Sequence, residues 1–347
     1  MNRIEYIDFA KGYAIFTIVC YHALQRLELS ALLQKAIVFG GTGVHLFFLL
    51  SGFGLVLSSN PSPSGRVEVG LFYKRRLVKV WLPYVLALTI SLLGAILLGL
   101  FPDRFDAWLA GAGLYQMFSE RYIESFGGHF WFISAIIQFY LVFPFLLWLK
   151  RKMDNHSLFF GIALAVSVAW WLIVYFLGKG DSRVWNSFFL QFLWEFALGM
   201  VLGDGTRRTV QGTRHFWNHA WWIYLPIALI FSGIMILMIL KMGDAGRVFN
   251  DIPALVGYAA FSVFFFQIGD KFLPLLKRFF LWVGSISYSL YLVHILVLEI
   301  YLRLLHLMGV SANWLSLLPF LALALLAGRA FEPLSVWWTG IFERKRI

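Results

Sequence analysis

Three residues in the first apolar run of this sequence have types and spacing that invite chemistry: Asp8, Lys11 and His22, within RIEYIDFAKGYAIFTIVCYHAL, Arg3 to Leu24. At 100° per residue, the eleven steps from Lys11 to His22 return to within about 20° of the same direction, and Asp8 lies within about 60° of Lys11. One helix face therefore holds all three. Lys11 and His22 are separated by about 16 Å along the axis, roughly half a hydrocarbon core. Ionisable groups at such depth are costly and usually mark a pathway or a reaction centre. An imidazole can take a proton from a hydroxyl near neutral pH, as transfer of a group to an alcohol requires. A lone histidine at a helix end reads more simply as bonded to a backbone carbonyl or a lipid headgroup, but the shared face with Lys11 and Asp8 reverses that preference. Asp8 and Lys11, three residues apart, are compatible with a plain ion pair. Alternatively, Lys11 faces a cavity and attracts a phosphate or carbonyl oxygen while Asp8 orients it.

Further candidates are dispersed. FYKRRLVKVWLPY, Phe72 to Tyr84, sets Arg75 and Arg76 just before an apolar helix; paired guanidinium groups suit phosphate oxygens, and anchoring to anionic lipid explains them equally well. GGTGVHLFFLLSGFGL, Gly40 to Leu55, is rich in small residues that let helices approach, and Ser51 can bond its own backbone. His45 in that stretch reads as a satisfied histidine with no catalytic part. His129, with Trp131, sits where an aromatic belt is expected in any case. His294, in SISYSLYLVH, lies deeper and is the more suspicious. Glu195, Glu299, Arg329 and Glu332 are the other charges in or near apolar runs, and Arg329 and Glu332 are spaced to pair. The sequence has no GxSxG elbow, HExxH, P-loop or metal-ligand cluster, so hydrolytic serine chemistry and zinc chemistry lack support and no metal is expected.

The elements that must position these residues are membrane helices. The chain of 347 residues is 60% hydrophobic and 14% charged, with mean hydropathy +0.76, far from the roughly 25% charged of a soluble domain. Ten apolar spans are predicted, at 6–25, 37–58, 78–101, 130–149, 157–177, 186–203, 220–241, 252–269, 282–305 and 313–338. They describe an all-α polytopic membrane protein of one domain, 1–347, built around a central cavity. The first run lacks a small-residue cleavage site and reads as a retained helix. Of the 29 Lys and Arg, 18 fall on the side holding both termini and nine on the other, which predicts cytoplasmic termini. Lys11 then lies toward the cytoplasm and His22 near the outer end. The longest outer connection, Phe101 to His129, carries an apolar piece, Trp108 to Phe118, that fits an interfacial segment or a short re-entrant helix. Cys20, the single cysteine, excludes an internal disulfide. The +11 charge is not gathered into a basic domain, so no nucleic-acid partner is expected.

Taken together, these segments resemble the acyltransferase 3 family of membrane acyltransferases. The basic residue, ten intervening positions and histidine of that family look like Lys11 to His22, preceded by Asp8; arginine is the commoner residue at the Lys11 position. GVHLFFLLSGFGL resembles the second motif, FYKRRLVKVWLPY the paired-arginine motif, and HFWFISAIIQFYLVFPFL the Trp131-bearing helix. SISYSLYLVH, with Tyr291, resembles the late motif, and FEPLSVW, with Glu332, the closing one. The resemblance implies an O-acyltransferase moving an acyl group, most often acetyl, from cytoplasmic acyl-CoA to a hydroxyl of a carbohydrate or glycolipid acceptor at the outer side of a bacterial cytoplasmic membrane. In this picture Arg75 and Arg76 hold CoA phosphates, Lys11 positions the donor, and His22 is the general base or, less directly, an acyl carrier. His294, Ser51, Trp131, Tyr291 and Glu332 support the site. Expected partners are acyl-CoA, the glycan acceptor, the bilayer, and glycan-synthesis machinery or a second copy. A transporter using the same charges is the alternative class, and a non-enzymatic partner of a glycan synthase a third.

Overall fold

The structure, a computed structural model, describes residues 5–59, 68–153, 155–208 and 221–344. It is 83% helical, with no strand among the described residues. The NPSPSG linker predicted at Asn60 to Gly65 lies outside them.

Twelve helices among the described residues position the site. They are α1 (Glu5–Leu24), α2 (Gly43–Ser58), α3 (Val69–Leu98), α4 (Phe105–Ala112), α5 (Trp131–Lys152), α6 (His156–Phe176), α7 (Leu193–Arg208), α8 (Trp221–Lys241), α9 (Asp251–Lys271), α10 (Pro274–Ser285), α11 (Ser287–Leu307) and α12 (Leu317–Arg344). Each predicted span overlaps one or two of them in order. Eight helical stretches among the described residues are long and apolar enough to cross a membrane, α2 being counted together with the short helices before it as Leu32–Ser58. α1 and α7 are not among them: α1 carries Asp8, Lys11 and His22, and α7 has only 16 residues, short of the roughly 20 a bilayer core requires.

Two boundaries differ from the sequence reading. The predicted span 282–305 is two helices, because the chain breaks at Ile286 between α10 and α11. The predicted span 186–203 begins late: Phe189–Phe192 is a tight 3₁₀ turn, and α7 starts at Leu193. Ser167 of α6 fixes that start, since its hydroxyl donates to the Leu190 carbonyl at 2.8 Å and accepts from the Trp194 amide at 3.1 Å. The connection from Phe101 to His129 is re-entrant, folding back along α3. Trp108 Nε1 of α4 donates to Thr89 Oγ1 at 3.1 Å, and Trp81 Nε1 of α3 donates to the Ala112 carbonyl at 2.9 Å. Thr89 lies nine residues before the end of α3, so α4 descends about 14 Å or more along it.

Glycines set the closest crossings. A Cβ on Gly12 of α1 would strike the Phe280 carbonyl of α10, and one on Gly284 would strike the Asp8 carbonyl. Gly52 of α2 and Gly199 of α7 meet Phe196 and Leu49 carbonyls in the same way. Backbones can touch so closely only where no side chain intervenes. Phe48 of α2, fully buried, stacks on Phe192 at 4.5 Å and meets Phe132 at 4.9 Å and Phe139 at 5.4 Å. These rings join α2, α5 and the α7 approach into one core. Large exposed apolar side chains, among them Leu97, Phe145, Phe176, Leu229 and Leu326, cover the outside, as a lipid-facing surface requires.

Candidate functional site

The end of α1 opens onto a cavity of about 540 Å³, within the range of small-molecule sites. One wall is a histidine cluster. His22 of α1 and His294 of α11 have ring centroids 5.3 Å apart, and His129 lies 5.0 Å from His294. His294 is wholly buried and His129 is 4% exposed. The Tyr291 ring lies 5.6 Å from that of His129, and its hydroxyl donates to the His129 carbonyl. This tie joins α11 to the residues leading into α5.

The state of His294 follows from its contacts. Its Nδ1 lies 2.7 Å from the Tyr291 carbonyl, which can only accept, so the ring proton belongs on Nδ1. Nε2 of the neutral ring then carries a lone pair, and that buried atom has no hydrogen-bond partner. A fixed tautomer with a free basic nitrogen beside a second imidazole is suited to taking or relaying a proton.

The opposite wall is also polar. His45 Nδ1 lies 2.6 Å from Glu195 Oε1, and His45 Nε2 lies 4.0 Å from Asp251 Oδ1. Gln191 Nε2 donates to Asp251 Oδ2 at 2.7 Å and to the Val248 carbonyl at 3.1 Å. Trp131 and Phe192, stacked at 5.9 Å, lie between the two walls. At the mouth, arginines are matched by acids: Arg26 with Glu299, Arg183 with Glu124 and Arg247 with Asp181. Arg183 also lies 5.6 Å over the Trp131 ring.

Depth is decided by α11 rather than by α1. His22 is two residues from the end of its own helix, yet His294 is the eighth residue of the 21 in α11. That helix continues about 20 Å past the histidine pair, so the cavity is sunk within the bundle.

The match that decides the family covers nearly the whole chain: the acyltransferase 3 model, described as an acyltransferase domain, fits residues 4–329. The chain belongs to the acyltransferase 3 family. No curated protein and no solved structure matches it. As a member of this family it is a multi-pass membrane acyltransferase in the general sense.

The site residues expected from the sequence fall at two levels of the bundle. His22, Trp131, Tyr291 and His294 share the cavity region: the first three line it, and His294 lies against His22 and Tyr291. Asp8 and Lys11, both half-buried on α1, are not among its lining residues. The common helix face is present, but the cavity borders only its far end. Arg75 and Arg76 sit on the first turns of α3. Arg75 is exposed, whereas Arg76 turns inward, donating to Ser58 Oγ at 3.1 Å and lying 5.7 Å over Phe72 and 5.8 Å over Tyr140. Successive helical residues point about 100° apart, and the two guanidinium groups diverge accordingly. Ser51 is half-buried on α2 away from the cavity lining, and Glu332 pairs with Arg329 at 2.6 Å on α12, as their spacing predicts.

Two residues depart from the sequence reading. His129 is no interfacial belt residue: it is packed against His294 and Phe130 inside the bundle. Burial of an unaccompanied imidazole is not legible from one flanking tryptophan. His45 is satisfied, as expected, but its partner is Glu195, 150 residues away, and it lines the cavity. The only sequence signal for that pairing is an ionisable residue inside each of two apolar runs.

Proposed function

We propose that this acyltransferase moves an acyl group, acetyl as the first choice, from acyl-CoA to a hydroxyl of a carbohydrate or glycolipid, with His22 as the general base. The observation that carries the reading is the His22–His294 pair at the wall of a buried cavity. His22 takes the proton of the acceptor hydroxyl as its oxygen attacks the thioester carbonyl. The carbon–sulfur bond then breaks and CoA leaves as the thiolate. His294, held by the Tyr291 carbonyl, orients His22 and receives or returns its proton. The stacked Trp131 and Phe192 offer apolar area to the C–H face of a sugar ring, while the polar walls on either side suit its hydroxyls.

The donor approaches from the other end. Arg75 and Arg76 meet the CoA phosphates at the cytoplasmic side, with both termini, and Lys11 guides the donor along α1, about 16 Å from His22. The extended pantetheine arm covers that distance. Arg75 is the freer of the two for phosphate, since Arg76 is committed to Ser58, Phe72 and Tyr140.

The test is thiol release from acetyl-CoA by protein in nanodiscs, with and without membrane glycan extract. Wild-type protein is expected to release CoA only with extract. His22→Ala is expected to lower the rate by about 10²–10⁴-fold while acetyl-CoA still binds. Comparable transfer by His22→Ala would refute the assignment, and absence of acyl-CoA binding would favour a transporter.

A further inference from the structure

We propose that Glu195, His45 and Asp251 form a hydroxyl-reading subsite, in which a hydroxyl of the acceptor other than the reacting one sits between His45 Nε2 and Asp251 Oδ1. The inference rests on the acyl-transfer reading for the identity of the ligand, and on the cavity geometry for its place.

All three side chains are more than nine-tenths buried: His45 is 6% exposed, Glu195 0% and Asp251 4%. Groups of this kind persist in an apolar bundle when their bonding is complete, because each ionisable group taken from water carries a heavy desolvation cost. Here it is incomplete on the cavity side. His45 and Glu195 are joined at 2.6 Å, but the 4.0 Å between His45 Nε2 and Asp251 Oδ1 exceeds any hydrogen bond. His45, Asp251 and Gln191 all line the cavity, so the gap opens where a ligand arrives.

Gln191 points the same way. Both of its bonds, to Asp251 and the Val248 carbonyl, come from Nε2, which fixes the amide so that Oε1 is a buried acceptor without a partner. Glu195 Oε2 is likewise unmatched. The unmet needs are thus an atom that both donates and accepts in the gap, and a donor for Gln191. A hydroxyl combines donor and acceptor in one atom. A hydroxyl reaching this gap from the cavity donates to one of His45 Nε2 and Asp251 Oδ1 and accepts from the other, whichever of the two holds the proton. Phe192 packs on the His45 ring at 5.6 Å and stacks on Trp131, so an apolar ring face has somewhere to rest between this subsite and His22. The ligand class is therefore a ring that bears several hydroxyls, read at one end and acylated at the other.

The experiment uses full-length protein in nanodiscs and a panel of octyl glycosides: glucoside, mannoside, galactoside and their monodeoxy forms. Binding is measured by thermal stabilisation across a concentration series, and transfer by CoA release from acetyl-CoA. Wild-type protein is expected to bind at least one deoxy or epimeric form tenfold or more weakly than its parent. His45→Gln and Asp251→Asn are each expected to bring that ratio to within about twofold, leaving acetyl-CoA affinity unchanged. Asp251→Asn keeps the shape of the side chain and carries the test if His45→Gln melts too low. Equal binding of all glycosides by the wild type, as water in the gap would give, overturns the inference, and so does an unchanged ratio in a folded variant. Discrimination that is lost in the variants without CoA release by the wild type would defeat the acyl-transfer reading and leave the subsite standing.

Discussion

An imidazole without a neighbour is a poor base in an apolar cavity, because the imidazolium it forms has nothing to share the charge. His294 supplies that neighbour for His22, and the Tyr291 carbonyl fixes its tautomer. His294→Ala is therefore expected to lower kcat for acyl transfer by about 10²-fold with little change in the KM for acyl-CoA, read from single-turnover CoA release. A matching rise in KM alone would mean that the residue shapes the pocket and takes no part in proton transfer. The Tyr291 hydroxyl serves the scaffold. Tyr291→Phe removes one bond to the His129 carbonyl and is expected to cost about 1 kcal/mol of stability, seen as a lower Tm in nanodiscs with transfer nearly intact. At this scale His22 and His294 are legible in the sequence, because deep imidazoles in apolar runs are rare. His129 and the Glu195–His45 pair are not, because each depends on a helix far away in the chain.

Helices here are held by two devices that sequence shows only faintly. Glycine crossings bring α1 against α10 and α2 against α7 with backbone in contact. Gly12→Ala or Gly199→Ala puts a methyl group into a facing carbonyl, and each is expected to destabilise by about 1–3 kcal/mol or more. The check is the melting temperature of the purified variants, with His22 chemistry retained in the fraction that stays folded. The second device is the re-entrant α4, pinned by Trp81 and Trp108. Trp81→Phe keeps the packing and loses the bond to Ala112, so faster amide hydrogen exchange is expected over Phe105–Ala112 than elsewhere. The sequence announces the apolar piece at Trp108 to Phe118 without deciding between an interfacial and a re-entrant course. Indole donors tied to distant stretches of chain make the decision. α10 reads as one span with its neighbour because its apolar face and that of α11 form one run, and only the break at Ile286 separates them.

The molecule as a whole has one end that carries Arg75 and Arg76 and another onto which the cavity opens, and their orientation in the membrane is open to direct test. Cys20 is the single cysteine, so a Cys20→Ala background allows one reporter at a time. A cysteine at Ser182, beside the cavity mouth, is expected to react with an impermeant maleimide from outside intact cells, and one at Glu68, before α3, only after permeabilisation. The reverse pattern would put the cavity on the cytoplasmic face and remove the need for a donor path along α1. Two helices link these ends: α1 carries both Lys11 and His22, and α2 runs from His45 at the cavity to Ser58, which accepts from Arg76.

What the sequence determined by itself was everything that depends on local composition and period. Apolar runs of bilayer length require helices, the order of the motifs marks the family, and one face of α1 must carry Asp8, Lys11 and His22, because helical geometry allows nothing else. Tertiary structure decided depth and partnership. α11 rises past α1 and sinks His22 within the bundle. The end of α1 lies against His294, so the cavity borders His22 while Lys11 stays outside its lining. Glu195 meets His45 across 150 positions of sequence. Each of these depends on which helix faces which, and that choice is made by glycine contacts, stacked rings and buried hydrogen bonds between residues that no local pattern connects.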